Sequence, residues 1–301
     1  MAIVGPTAVG KSAVCFALAK EYDLEIVSAD SMQVYKKLDI GTAKPSLKER
    51  EEVPHHLVDL VEPWENFNLS TYQRLALSAI AGIHNRGKLP LLSGGTGLYV
   101  RAVLEDYLFG QRSSDPQVRR ELARLSTLDL AAKLRQVDPA AASRLHLNDR
   151  RRLERALEVY LVTGSTISQQ QAHMTRKKRY RSVVFCLTRQ RAELYRRIEE
   201  RVDQMLAEGL LDEARMLFQL SIDANHTARQ AIGYKEFFPY FRGDCSLEEA
   251  VVTLKRNTRH YAKRQLTWFR REDVVWLNLT ELGPQQALSK IKAAVDCILS
   301  R

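Results

Sequence analysis

Gly5-Pro6-Thr7-Ala8-Val9-Gly10-Lys11-Ser12 follows the short apolar run Met1-Ala2-Ile3-Val4 and leads into Ala13-Val14-Cys15-Phe16-Ala17-Leu18-Ala19, a helical pattern. This is G-x-x-x-x-G-K-S in its required setting of strand, loop and helix. The glycines let backbone N–H groups curl around a phosphate, and the start of the following helix adds its dipole. Lys11 then supplies a point charge to the terminal phosphates, and Ser12 a hydroxyl for Mg²⁺.

Working outward, Glu25-Ile26-Val27-Ser28-Ala29-Asp30-Ser31 and Leu89-Pro90-Leu91-Leu92 read as further buried strands, the second running into Ser93-Gly94-Gly95-Thr96-Gly97. Alternating strands and helices predict an α/β fold: a P-loop NTPase-like core with a parallel β-sheet flanked by helices. From about Ser113 the strand signal vanishes and helical periodicity takes over, until Ser182-Val183-Val184-Phe185-Cys186-Leu187 restores a buried strand. The expected organisation is therefore a core of residues 1–112 and 180–301 with a helical insertion domain at 113–179. Leu194, Ile198, Val202 and Met205 follow at helical spacing as a core-facing stripe.

The 301 residues carry 46 Lys and Arg against 36 Asp and Glu, a net charge of +10, and 45% are hydrophobic. Intrinsic disorder and a fibrous fold are excluded by that balance. No apolar run approaches the roughly 20 residues that span a bilayer, so no membrane association is expected, and with no signal peptide in view a cytoplasmic location is. The four cysteines at 15, 186, 245 and 297 form no C-x-x-C pair, which predicts neither zinc nor a disulfide framework.

The positive charge is concentrated. Residues 144–201 carry +9 and residues 255–301 carry +6. Two such segments suit a polyanion, with nucleic acid the leading candidate. Ser246-Leu247-Glu248-Glu249 reads as a capping box opening a helix towards Trp268. On it Lys255, Arg256, Arg259, Lys263 and Arg270 share one face, and no acid lies between Lys255 and Arg271 to neutralise them.

A P-loop alone does not say whose diphosphate it holds. Most such proteins bind Mg²⁺ through an acid ending a second strand. Here the strand at Leu89–Leu92 ends in Ser93-Gly94-Gly95, and the one nearby carboxylate is Asp30. A plain NTPase is thereby weakened.

Eight ordered blocks resemble the bacterial tRNA dimethylallyltransferases, also called tRNA isopentenyltransferases. After the P-loop come Ser28-Ala29-Asp30-Ser31-Met32-Gln33-Val34-Tyr35, Asp39-Ile40-Gly41-Thr42-Ala43-Lys44-Pro45 and Pro54-His55-His56-Leu57. Gly94-Gly95-Thr96-Gly97-Leu98-Tyr99 and Asn148-Asp149 leading to Arg152-Leu153-Glu154-Arg155-Ala156-Leu157-Glu158 follow. Ala231-Ile232-Gly233-Tyr234-Lys235-Glu236 and Lys263-Arg264-Gln265-Leu266-Thr267-Trp268-Phe269-Arg270 complete the set.

The resemblance implies transfer of a dimethylallyl group from dimethylallyl diphosphate to N6 of adenosine 37 in the tRNA anticodon stem-loop, with Mg²⁺. It makes Gly5, Pro6, Thr7, Ala8, Val9, Gly10, Lys11 and Ser12 a leaving-group cradle, with Ser12 the metal ligand. It implies Asp30 as the base that takes the N6 proton, Thr96 as a catalytic residue near the channel where the two substrates meet, and Arg229 as a catalytic residue that contacts the diphosphate or the tRNA beside it. Asp30, Ser31, Met32, Gln33 and Thr96 would meet the target base. Arg119, Arg151, Arg152, Leu153, Glu154, Arg155, Gly233, Tyr234, Lys263, Arg264, Gln265, Thr267, Trp268 and Arg270 would meet the rest of the tRNA. A monomer is the expected state. The alternatives are a P-loop kinase and an RNA-dependent ATPase, both requiring ATP, and a free adenylate isopentenyltransferase, which leaves the basic segments unexplained.

Overall fold

A computed structural model of the chain describes residues 1–106, 115–172, 177–223 and 226–300. The chain divides into two compact units, Met1–Leu104 with Tyr180–Arg301, and Glu105–Arg179.

The first unit opens with β1 (Ala2–Val4), α1 (Lys11–Tyr22), β2 (Glu25–Ser28), α2 (Leu47–Glu52), β3 (His55–His56), α3 (Leu69–Asn85), β4 (Pro90–Gly94) and α4 (Gly97–Leu104). The second unit is helical, with α5 (Pro116–Ala123), α6 (Thr127–Val137), α7 (Pro139–Arg144), α8 (Arg150–Thr163) and α9 (Ile167–Ala172). The first then resumes with β5 (Val184–Thr188), α10 (Arg191–Ala207), α11 (Leu210–Gln219), α12 (Phe238–Arg242), α13 (Leu247–Phe269), β6 (Val275–Asn278) and α14 (Leu279–Leu299).

Six parallel strands form one sheet in the order β3-β2-β4-β1-β5-β6. The fully buried Ala2-Ile3-Val4 sits at its centre, with Ile3 opposite Ser93 of β4 and Phe185 of β5. Alternation along β1 builds the two faces. Ile3 packs with Val14 and Leu18 of α1, Leu194 and Ile198 of α10, and Ile291 of α14. Ala2 and Val4 pack with Tyr72, Ala76 and Ile80 of α3, Leu217 of α11 and Leu254 of α13. The result is a three-layer α/β/α core.

The connections from β1 and β4 leave towards opposite sides of the sheet, so a crevice opens beyond the carboxyl ends of these neighbouring strands. Two residues after its last paired position, β2 delivers Asp30 to this edge; the ladder ends at Ser28, although Ala29 N–H still donates to Ser93 O at 2.7 Å. Gly94 is required where β4 leaves the sheet, because a Cβ there would lie 2.2 Å from Ala29 O. Helix α13 carries the capping box read from its sequence: Ser246 accepts from Glu249 N–H and Glu249 reaches back to Ser246 N–H.

The second unit has its own core of Leu122, Leu130, Leu134, Leu153 and Leu157. Glu158, almost fully buried within it, accepts from Arg119 Nε and Arg155 Nη1 at 2.7 and 2.8 Å. Among the described residues no helix is long and apolar enough to cross a membrane.

At the opposite edge of the sheet Glu25 is buried, with Arg86 Nη2 at 2.6 Å and His56 Nε2 at 2.7 Å. The Arg86 bond, and after it His56, hold its carboxyl down at about 2 against the upward push of burial. A carboxylate whose pKa falls on folding stabilises the fold above its unfolded value of 4.5 and loses that contribution as pH drops towards 2. Because Arg86 is half exposed and screened by water, the expected contribution is about 1–2 kcal/mol. Glu25→Gln should lower the Tm at neutral pH and narrow its gap to the wild type between pH 4.5 and 2, as followed by thermal melts.

Candidate active site

The P-loop lies over the carboxyl end of β1, held in a conformation that its glycines permit. Gly5 adopts φ +145°, and a Cβ there would lie 2.5 Å from Leu187 O. Gly10, at φ +108°, caps α1 without a side-chain cap, and the first turn of that helix holds no acid, which leaves its dipole to an incoming anion. The Lys11 ammonium donates to Gly5 O at 2.9 Å and Pro6 O at 2.7 Å. Burial pushes its pKa down to about 8, nearby Arg201 adding to that and Asp30 opposing it.

Three side chains from distant elements brace the loop. Arg189 Nε donates to Val9 O and Arg197 Nε to Ala8 O, each at 3.0 Å. Gln265, buried on α13, accepts from Thr7 N–H at 2.9 Å and donates to Gly95 O at 3.0 Å. A loop fixed in this way presents its donors without reorganisation.

The loop floors a cavity of about 1000 Å³, which Lys11, Ser12, Asp30, Ser31, Met32 and Gln33 share with Arg197, Arg201 and Arg264. Asp30 Oδ1 accepts from Met32 N–H at 2.8 Å. Burial lowers the Arg201 pKa, and the Asp30 charge partly restores it. Gln33 is committed at both ends, accepting from Ser28 Oγ at 3.0 Å and donating to Thr42 O and Ala43 O at 3.3 and 3.2 Å.

Thr96 stands just behind this wall, its Oγ1 accepting from Ser31 N–H at 3.2 Å. It also bonds Tyr261, whose phenol burial keeps protonated. Ser12 and Asp30 offer hard oxygen donors in one cavity, and among the described residues no group of three His, Cys, Asp or Glu gathers to cage a metal. That donor set fits an ion such as Mg²⁺, held by one or two protein oxygens with diphosphate and water completing its shell.

Several residues expected at the site lie elsewhere. The Arg229 guanidinium does not line the cavity: it donates to Leu220 O and Ile222 O at 3.1 and 3.3 Å and covers the Phe238 ring at 4.9 Å. Its neighbour Gln230 lines the cavity instead. Tyr234 is fully buried, its hydroxyl on Glu213, so its ring offers no surface to RNA. Gln265 faces the P-loop, and Leu153 belongs to the core of the second unit.

On α13 two of the five cations of the expected basic stripe are neutralised from another element: Lys255 pairs with Asp203 and Arg259 with Glu199, both on α10 and each at 2.6 Å. Lys263, Arg264, Thr267 and Arg270 remain exposed, and Trp268 packs beneath Arg101 at 4.6 Å. In the second unit Arg151 and Arg152 are exposed on α8, Glu154 pairs with Arg150 at 2.7 Å, and Arg119 and Arg155 share Glu158.

Arg197 and Arg201 were not foreseen. The signal was two arginines four residues apart, flanking the Leu194–Ile198–Val202 stripe, so that one helix turns apolar residues to the core and cations to the cavity.

A family model described as IPP transferase matches residues 33–272, and one described as isopentenyl transferase matches residues 1–59. The chain belongs to the IPP transferase family. Among the relatives, a tRNA dimethylallyltransferase of Shouchella clausii is 49% identical, over 100% of this chain and 96% of its own length. That of Geobacillus thermodenitrificans is 48% identical over 96% and 93%.

The crystal structure of a full-length tRNA isopentenylpyrophosphate transferase from Bacillus halodurans superposes with a TM-score of 0.74 at 44% identity, covering 99% of this chain and 96% of that one. A eukaryotic dimethylallyltransferase captured acting on tRNA superposes at 0.86 with 31% identity, over 100% and 79%. The sheet and P-loop described above are thus this IPP transferase's version of a P-loop NTPase-like core.

The lowered pKa of Lys11 has a measurable consequence. In the free protein its ammonium loses its proton as pH rises through about 8, and with it the charge that meets a phosphate. The Kd for inorganic diphosphate should rise above pH 8, approaching about tenfold per pH unit. Calorimetric titration of Lys11→Arg in parallel cancels the ligand's own ionisation, and its curve should be flat relative to the wild type.

Proposed function

We propose that this chain transfers a dimethylallyl group from dimethylallyl diphosphate to N6 of adenosine 37 in tRNA, releasing diphosphate. The observation that carries the reading is the pairing of a P-loop with Asp30, delivered by the end of β2 into the same cavity, where the neighbouring β4 ends in Ser93-Gly94 and supplies no acid. That pairing suits departure of a diphosphate opposite a proton acceptor better than ATP hydrolysis or phosphoryl transfer.

In the proposed step the N6 lone pair attacks C1 of the dimethylallyl group as the C1–O bond breaks, the bonding electrons leaving with the diphosphate. The exocyclic amine is a poor nucleophile because its lone pair is delocalised into the ring, so its proton must be taken as the C–N bond forms. Asp30 is the acceptor. The P-loop amides and Lys11 meet the charge that grows on the leaving group, and Arg197 and Arg201 extend the cationic wall of the cavity. Ser12, with Asp30 near, would hold Mg²⁺, whose chemistry when bound is to neutralise diphosphate charge. Thr96 acts by holding Ser31, the residue after the base, in place.

On the RNA side, an anticodon-loop base must be taken out of its stack to reach Asp30 within this cavity. Ser31, Met32 and Gln33 line the cavity and would meet it there, and Gly233 lines the same cavity. Lys263, Arg264 and Arg270 on α13, and Arg119, Arg151, Arg152 and Arg155 of the helical insertion, are the side chains for the phosphate backbone of the anticodon stem-loop. One chain supplies every group the reading uses, which supports a monomer, and a tRNA substrate fits action in the cytoplasm.

Asp30→Ala should lose transfer by roughly 10²-fold or more, scored by the mass gain of an anticodon stem-loop incubated with dimethylallyl diphosphate and Mg²⁺ but no ATP. RNA affinity should barely change, and full turnover by the variant would refute the assignment. Lys263→Ala should lower the slope of log K against log salt by about one. Lys255→Ala, whose charge is already paired with Asp203, should lower it by clearly less.

A further inference from the structure

The block Asp39–Pro45 lines the same cavity without supplying a group to the proposed step, and it is held by an unusually complete set of bonds. Glu213, in the first turn of α11, uses both carboxylate oxygens twice. Oε2 accepts from the N–H groups of Asp39 and Ile40 at 2.8 and 3.0 Å. Oε1 accepts from Gly41 N–H at 3.0 Å and from the Tyr234 hydroxyl at 2.6 Å. Burial, with the Glu213 charge beside it, keeps the Tyr234 phenol protonated and so a donor.

The backbone fits against the ring as closely as a residue without a side chain allows: a Cβ at Gly41 would lie 2.6 Å from Tyr234 Cζ. Gly233, at φ +106°, brings the chain past Gly41 on the same side. Three amides, one phenol and one carboxylate thus fix the position of the next two carbonyls in the chain, Thr42 O and Ala43 O.

Those two carbonyls receive Gln33 Nε2. A carbonyl can only accept, so the nitrogen end of the Gln33 amide must face them, and its oxygen must face Ser28 Oγ and the cavity. The Ser28 bond uses one lone pair of Oε1 and leaves the other. An amine has two protons to place: if Asp30 takes one, an oxygen fixed in the same cavity accepts the other. A base carrying an oxygen at that position meets the Gln33 oxygen with a second acceptor and is rejected.

We infer that Glu213 is a positioning residue for base selection, its carboxylate holding the 39–43 backbone so that Gln33 presents oxygen, and not nitrogen, to the exocyclic group of the target base. The inference rests on the proposed function, in which Asp30 and Gln33 meet that base.

The test is binding of two anticodon stem-loops, with adenosine or inosine at the target position, to the wild type, Glu213→Gln, Tyr234→Phe and Gln33→Ala. Inosine carries O6 where adenosine carries its amine. Glu213→Gln keeps the shape but turns an NH₂ group on backbone N–H donors. It should reduce the preference for adenosine about tenfold, within the range one base-edge contact discriminates, while the Kd for inorganic diphosphate stays put. Tyr234→Phe should shift the preference in the same direction by less, and it decides the matter if Glu213→Gln also loses diphosphate binding.

Equal weakening towards both stem-loops, or an undiminished preference in Glu213→Gln when Gln33→Ala has reduced its own, would overturn the role of Glu213 alone. A preference left undiminished by Gln33→Ala would overturn the reading of Gln33 at the base, and the inference with it.

Discussion

Lys11 is a buried cation whose hydrogen bonds go to two carbonyl oxygens of its own loop, and among the described residues no carboxylate pairs with it. Much of the catalytic unit follows from keeping that charge available. A loop that wraps an ammonium with its carbonyls must turn its amides outward, and it holds that shape only if its remaining carbonyls are occupied from behind. Arg189 and Arg197 do this for Val9 and Ala8. The cost of desolvating the lysine appears as its lowered pKa, and an arriving diphosphate relieves it.

Helix α13 links the two sides of the site. Its buried face sends Gln265 between the P-loop and the turn after β4, while in the same turn Lys263 and Arg264 are exposed to solvent. The same rigid element therefore sets the register of the donor cradle and displays charge for the polyanion. Tyr261 on this helix reaches Thr96 and so the segment that carries Asp30. The order of these side chains along 23 helical residues translates directly into the spacing between phosphate cradle, proton acceptor and RNA backbone.

What could be read in the sequence was what is local. The P-loop, the Ser246–Glu249 capping box and the buried runs of β1, β4 and β5 declare themselves within a few residues. The edge strands did not: β3 is two residues long, and β6 exposes Val275 and Trp276. Charge was legible in sign but not in balance, since the acids opposing Lys255 and Arg259 sit on α10, 52 and 60 residues away. The motif residues Tyr234, Gln265 and Leu153 look like recognition groups when read along the chain, yet each turns inward, two to brace a loop and one to fill a core. Arg229 likewise satisfies its own neighbourhood, and Arg197 and Arg201 reach the cavity only because α10 crosses behind the P-loop.

The insertion begins and ends at one place. Glu105 bridges Lys178 in antiparallel fashion, Asp106 N–H donates to Lys177 O at 2.8 Å, and the Asp106 carboxylate meets Arg179 at 3.0 Å. In polymer terms this stem short-circuits the chain. The central pairing of the sheet sets Ala2 against Val184, a contact between residues very distant in sequence, and closing so long a loop carries an entropy that grows with the logarithm of its length. Once the stem has formed, the helices between its two sides no longer count towards that length. A strand order that looks slow to assemble from residue numbers alone is thereby brought closer to that of an uninterrupted α/β chain, and the insertion adds mass to the protein without adding proportionately to the search.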